Sequence, residues 1–384
     1  MTDSTAPETP DHGSVPVLYG VPHSLYTGIA RCYLRTQGIG YVERTTAHPA
    51  YTDRIMPAIK RGIIPVVETP DGTIIQDSLD IIDHFEAQGV PYSAYPAGPL
   101  QRVLGVILQY YGMQGMLRHA MHYRWSYREQ QEAFLRSAFS SRAPDGRGEK
   151  VMARMSSYLP RLGVTEATIP AIEQSYGEVL AILNRHFAEH PYVFGGRPTI
   201  ADYGLIGPLF AHLGRDPVPA GIMKTNAPWV FRWVERMTAP GLDAPEFPEY
   251  DGDLMAGDAV PETLVPLLGH MAGEMFPELT DKLAFMDALI EQRQPADGTP
   301  VSEKPHQRAV GIVDTHFRGV PVQAGVEPYL VYVLRRADRA LAACTAEERD
   351  RVLAFLGEVG LEQALPGDRG YSVDRRDHVE VWQR

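Results

Sequence analysis

Three short stretches carry residue types whose chemistry depends on where the backbone holds them. Ser24 follows the turn Gly20-Val21-Pro22-His23 and stands at the start of a helical pattern, Leu25 to Gln37, closed by Gly38. A serine there is a natural N-cap. The free N–H groups and partial positive charge of a helix start also favour an anion such as a thiolate. Pro65 lies inside the apolar run Ile63-Ile64-Pro65-Val66-Val67, which otherwise reads as a strand. Proline cannot donate to a ladder, so its place there needs a special reason. A cis Ile64–Pro65 bond is one. It would turn the Ile64 backbone outward, free to pair with an extended peptide as an added strand would. Asp77 and Ser78 sit just ahead of a third pattern, Leu79 to Ala87, whose apolar residues Leu79, Ile81, Ile82 and Phe85 recur at helical spacing. A side-chain oxygen there can cap the helix, and its N–H groups can bind a carboxylate.

These groups need a scaffold, and the spacing of the surrounding elements supplies one. Val15 to Tyr19 is a short apolar strand, Pro70-Asp71-Gly72 a tight turn, and Thr73-Ile74-Ile75 a second short strand. The order β-α-β, then β-β-α, is what a four-stranded sheet with helices on its faces requires.

The ordered set Gly20-Val21-Pro22-His23-Ser24-Leu25-Tyr26-Thr27, Ile64-Pro65, Asp71-Gly72 and Asp77-Ser78 resembles the thioredoxin-like domain of the cytosolic glutathione transferases. Ser24 falls on the position where serine-type members carry the residue that activates glutathione and where glutaredoxins carry cysteine. The resemblance implies that glutathione lies along Ile64 and Pro65. Ser78 then takes its γ-glutamyl carboxylate, Asp77 its ammonium, and Lys60 and Arg61, ahead of His48, its glycine carboxylate. A hydroxyl donating to sulfur, with helix-start N–H groups, would lower the thiol pKa. Serine in place of cysteine disfavours mixed-disulfide chemistry. Tyr19, one residue off the column used by tyrosine-type members, and the loop residue His23 remain as alternatives to Ser24 or assistants to it. Tyr192 to Tyr203 gives a second match. Its Thr199-x-x-Asp202 is an N-capping box variant that this family uses to start its buried central helix.

The expected fold is therefore an α/β thioredoxin-like N-terminal domain, an all-α transferase domain, and an added, mostly α extension. The boundaries read as a flexible tail over 1–14, the glutathione-binding domain over 15–90, the helical domain over 99–245 and the extension over 246–384. Glu43 to Gly62 and Ala138 to Lys150 read as loops. In the helical domain, Tyr111, Arg118 and Tyr123, with Tyr26, are the candidates to line a pocket for the second substrate. The extension reads as one helix around Pro261 to Glu274, another near Thr280 to Gln292, a short hairpin over Arg308 to Val320 around Arg318-Gly319, a helix over Glu327 to Ala343, a capping box at Thr345 to Glu348, and a strand over His378 to Trp382.

Composition sets the outer limits. The chain has 384 residues, 44% hydrophobic and 22% charged, as soluble globular proteins do. The net charge of −12 argues against nucleic acid as a main partner, and no apolar run is long enough to span a membrane. Two distant cysteines, Cys32 and Cys344, make no disulfide framework. His119-x-x-His122 lacks a third ligand nearby, so no metal is expected. No phosphate loop and no G-x-S-x-G elbow is present. The expectation is a cytoplasmic, homodimeric enzyme that turns the glutathione thiol on a small hydrophobic or aromatic electrophile. Conjugation, ether cleavage, dehalogenation and isomerisation all begin with that thiolate. The alternative is a non-catalytic glutathione-binding or structural interaction protein of the same fold.

Overall fold

The computed structural model describes residues 13–140, 146–304 and 306–384. The tail expected over 1–14 lies outside the described residues, except for Gly13 and Ser14. Strands β1 (Val17–Tyr19), β2 (Val42–Arg44), β3 (Val66–Glu68) and β4 (Ile74–Gln76) form a four-stranded sheet in the order β2-β1-β3-β4. β1 and β2 run parallel, and β3 is antiparallel to both β1 and β4. Helices α1 (Leu25–Thr36), α2 (Met56–Ile59) and α3 (Ser78–Ala87) complete this unit. Alternation along the strands divides its core. Leu18 and Val67, register partners, join the main core with Ile29, Tyr33 and Ile82. Val17, Tyr19 and Val66 face the other way, onto Tyr51, Ile55 and Ile59. That second core explains why Glu43 to Gly62 is not a plain loop: it holds β2, a π-helical turn over Tyr51–Ile55, and α2. The strand expected from Ile63 begins only at Val66, because Pro65 has no N–H to give the ladder.

The helical domain runs through α4 (Pro99–Tyr110), α5 (Leu117–Trp125), α6 (Glu132–Ser140), α7 (Arg147–Ser156), α8 (Ile169–Glu189), α9 (Ile200–Ala211), α10 (Pro217–Asn226) and α11 (Pro228–Thr238). The loop expected over Ala138 to Lys150 is shorter than its composition implied, since α6 reaches Ser140 and α7 starts at Arg147; 141–145 lie outside the described residues. α9 is buried along nearly its whole length. Its capping box forms as expected: Asp202 accepts from Thr199 N at 2.9 Å. The same carboxylate also accepts from Val193 N at 3.0 Å and Trp233 Nε1 at 3.2 Å, so one buried group ties α9 to α11.

The extension starts with α12 (Val265–Arg293). The two helices expected here are one, continuing through Pro277. A proline inside a helix removes one hydrogen bond and crowds the carbonyl four residues back. Burial of Met271 and Met275 before it, and Leu279 and Leu283 after it, keeps one apolar face in register across the interruption. Next come the hairpin β5 (Gly311–Phe317) and β6 (Val320–Val326), α13 (Tyr329–Ala342), α14 (Ala346–Glu358), and a second hairpin, β7 (Ser372–Arg376) and β8 (Val379–Gln383). Both hairpins turn through two residues of positive φ, Arg318 (49°) with Gly319 (81°) and Asp377 (47°) with His378 (65°), the conformation that suits strand twist. The strand expected over His378 to Trp382 is thus half of a terminal hairpin. α13 packs along α4, and Arg336 Nη2 donates to Asp83 on α3 at 2.8 Å. Among the described residues no helix is long and apolar enough to cross a membrane.

α9 and the end of α4 approach closely at Gly204. A Cβ on Gly204 would stand 2.3 Å from Gln109 Cα. Gly204→Ala should therefore destabilise by about 2–3 kcal/mol or more. Gly177→Ala, on α8 with nothing within 4 Å, should gain several tenths of a kcal/mol from helix propensity. Paired denaturant titrations would read both.

Candidate functional site

Ser24 is the N-cap of α1, with extended backbone (φ −91°, ψ 125°), and its Oγ accepts from Thr27 N at 3.2 Å. The loop before it is held at two of its carbonyls by buried arginines. Arg31 Nη2 donates to Val21 O at 3.2 Å while Arg31 pairs with Glu43. Arg124 Nη1 donates to His23 O at 2.9 Å, while its Nε and Nη2 grip both oxygens of Asp216 at 2.6 and 2.9 Å. Arg31 and Arg124 are the positioning residues that the sequence reading passed over. Nothing in the sequence around Arg124 marks its partner, Asp216, the residue just before α10.

Of the alternatives to Ser24, His23 packs its ring 4.1 Å from Phe139. Burial, then Arg124, Arg215 and Arg31, pushes its pKa down to about 3, so the ring is neutral at pH 7. Tyr19 lies on the far face of β1 and its phenol donates to Glu68 at 3.2 Å. Burial and then the Glu68 carboxylate raise its pKa, which keeps the proton on oxygen.

The Ile64–Pro65 bond is cis, and Pro65 O accepts from Asp77 N at 3.2 Å. Asp77 caps α3 from a backbone conformation that side-chain-bearing residues rarely adopt, φ 95°. Its Oδ1 accepts from Leu79 N at 2.9 Å and from the Tyr329 hydroxyl at 3.0 Å; its Oδ2 accepts from Arg375 Nη2 at 3.3 Å. Ser78 is fully buried, and its Oγ has no hydrogen-bond partner among the described residues. Lys60 is exposed at a left-handed position (φ 60°). Arg61 is buried, donating to Glu380 at 2.8 Å, Gln76 Oε1 at 2.7 Å and His378 O at 2.5 Å.

The extension thus reaches the region around Asp77 and Arg61. Arg375 also donates to Gln76 O and Glu380 Oε1, both at 3.1 Å, and to Asp80, and it lies over the Tyr332 ring. Burial raises the Glu380 carboxyl, but Arg375 and Arg61 outweigh it and hold the pKa at about 2. Burial dominates at Asp80, whose pKa is raised despite Arg375.

The four candidates for a second-substrate pocket stand in different surroundings. Tyr26 donates to Met113 O at 3.3 Å and accepts from Gln114 Nε2 at 2.9 Å, with burial pushing its pKa to about 12. Tyr111 is fully buried. Arg118 donates to Leu162 O at 2.7 Å and Glu278 at 2.6 Å, and lies over Phe317 of β5. Tyr123 stacks on Tyr127 and tilts against Tyr176. The pair His119 and His122 bonds to Ser175, and to Ser126 and Glu173, respectively.

The sheet, the capped α1 and α3, and the buried α9 coincide with two known domains. Residues 18–91 match the glutathione S-transferase N-terminal domain, and residues 166–236 match the glutathione S-transferase C-terminal domain. These two segments are glutathione S-transferase domains, in the order in which that family carries them. No curated protein matches it. Solved structures similar to it include a glutathione S-transferase from Xanthobacter autotrophicus (22% identity, 61% of this chain and 98% of that one, TM-score 0.35). Another is a glutathione S-transferase from Rhodospirillum rubrum (15% identity, 65% and 97%, TM-score 0.40).

Glu380 gives a pH test. Its folded pKa of about 2 lies below the ordinary 4.5, so the ionised carboxylate stabilises the fold above pH 4.5 and that contribution fades as pH falls towards 2. Glu380→Gln should cost about 3 kcal/mol at pH 7. The gap from wild type should close between pH 4.5 and 2 in melts run across that range.

Proposed function

We propose that the chain is a glutathione-dependent enzyme in which Ser24 activates the thiol. The observation that carries this reading is the state of the Ser24 hydroxyl. Its oxygen accepts from Thr27 N, which leaves the hydroxyl hydrogen to donate to sulfur at the positive end of α1. The thiolate is stabilised there, and a loop clamped by Arg31 and Arg124 keeps the donor from drifting. The tripeptide runs along Ile64 and Pro65, with Asp77 and Ser78 on its γ-glutamyl end and Lys60 and Arg61 on its glycine carboxylate. The sulfur attacks an electrophilic carbon of a small hydrophobic or aromatic molecule, forming a C–S bond as the leaving group departs with its electron pair. Tyr26, Tyr111, Arg118 and Tyr123 are the residues we assign to the second substrate. A cytoplasmic homodimer is part of the same reading.

One observation favours the second reading, a non-catalytic binding or structural interaction protein of this fold. Asp77 and Arg61 are already paired with groups of the extension. Calorimetric titration with glutathione, followed by turnover of an activated aryl halide, separates the two. Ser78→Ala should weaken binding roughly tenfold. Ser24→Ala should still bind but lose roughly 10²-fold in turnover. Full turnover by Ser24→Ala would overturn the enzymatic role of that hydroxyl, and binding without turnover in the wild type would favour the second reading.

A further inference from the structure

The terminal hairpin brings two opposite charges to the place where the tripeptide's ends are assigned. Arg375 on β7 and Glu380 on β8 are cross-strand partners, and their side chains meet at 3.1 Å. Arg375 puts its guanidinium on Asp77, and Glu380 puts its carboxylate on Arg61. On the reading above, Asp77 takes an ammonium and Arg61 a carboxylate. One rigid hairpin therefore presents a cation and an anion to the same two residues that would receive the cation and anion of glutathione.

A purely structural ion-pair cluster would not account for two further details. Asp77 keeps its positive φ although a guanidinium imposes no need for it. Ser78 Oγ, beside it, is fully buried without a hydrogen-bond partner among the described residues. A buried hydroxyl in that state is destabilising. Arg375 supplies a charge for Asp77 but no acceptor for Ser78, whereas an α-amino acid end carries both an ammonium and a carboxylate. Ser78 is thus the contact that the hairpin leaves unmade.

We propose that the β7–β8 hairpin is an internal occupant of the glutathione site, with Arg375 and Glu380 standing in for the charged ends of the peptide, so that glutathione binds in competition with it. This rests on the assignment of Asp77 and Arg61 as glutathione anchors. The hairpin is not loosely held: Val373, Val381 and Trp382 are buried, and Trp382 exchanges backbone bonds with Gly298 and Thr299. Opening is therefore a minor state, and the affinity seen for glutathione is the intrinsic one reduced by the fraction open.

The test is calorimetry with glutathione on the full chain, wild type beside Arg375→Gln/Glu380→Gln, with amide exchange over 372–383 as a second readout. The double variant keeps the shape of Glu380, shortens the side chain at 375, and removes both charges. We expect it to bind at least tenfold more tightly, and saturating glutathione to speed exchange over 372–383 in the wild type. Equal affinity in wild type and folded variant, or unchanged exchange at saturation, would overturn the competition while leaving the glutathione site intact. Absence of binding in both proteins would overturn the assignment of Asp77 and Arg61, and the competition with it. Should the double variant not fold, Glu380→Gln alone takes the hairpin's carboxylate charge off Arg61. It should bind severalfold more tightly than wild type, and unchanged affinity would count against the competition.

Discussion

The buried charge network around Arg375 is the constraint on which the rest of the chain depends. Arg61, Asp77, Asp80, Arg375 and Glu380 leave water together, and each is acceptable only because the others are present. Desolvation of such groups is repaid only when geometry is good and every member is paired, and stranding one of them costs about 3–5 kcal/mol. The network therefore fixes more than a local contact. It sets the position of the terminal hairpin against α3 and β4, and through Tyr329 and Tyr332 it sets the register of α13. Three carboxylates against two guanidiniums leave an excess of negative charge at that point. Arg336, on Asp80 and Asp83, moderates it from the other side.

A second buried network works in parallel at the N-terminal end of α1. Arg124 and Asp216 pair deep inside the helical domain and hold the His23 carbonyl. The domain interface is thus set by hydrogen bonds to the backbone of the loop before Ser24 rather than by apolar packing alone. Asp202 plays the corresponding part within the helical domain, joining the loop at Val193, the start of α9 and Trp233. The two domains and the extension are each tied in by buried or partly buried polar groups, with Leu, Ile and Met filling the space between.

What could be read in the sequence was whatever is encoded locally. Ser24 as a cap, the turns at Gly72 and Gly319, and the boxes at Thr199 and Thr345 each involve residues within four positions of one another. Their geometry follows from backbone hydrogen bonding, which any window of sequence exposes. Pro277 misled because a proline is a local breaker, while the burial that carries α12 through it is a tertiary effect. Arg375 and Glu380 had no readable signal at all. Their partners lie 298 and 319 residues away, and an arginine on a terminal strand looks like any solvated cation until the chain folds back. For the same reason Asp77 and Ser78 could be placed at a helix start, but not under a covering hairpin.

That sequence separation also orders events in time. Arg61 leaves the ribosome 319 residues ahead of Glu380, which at ordinary elongation rates is about 16 to 64 s. Domains fold as units during synthesis, so the sheet and its two capped helices can form in that interval. For that interval the nascent chain presents Asp77 and Arg61 uncovered to the small molecules around it. A small molecule with charges complementary to Asp77 and Arg61 thus has access to this surface before the hairpin does, and a ligand bound then would act on the unfinished protein as a folding template.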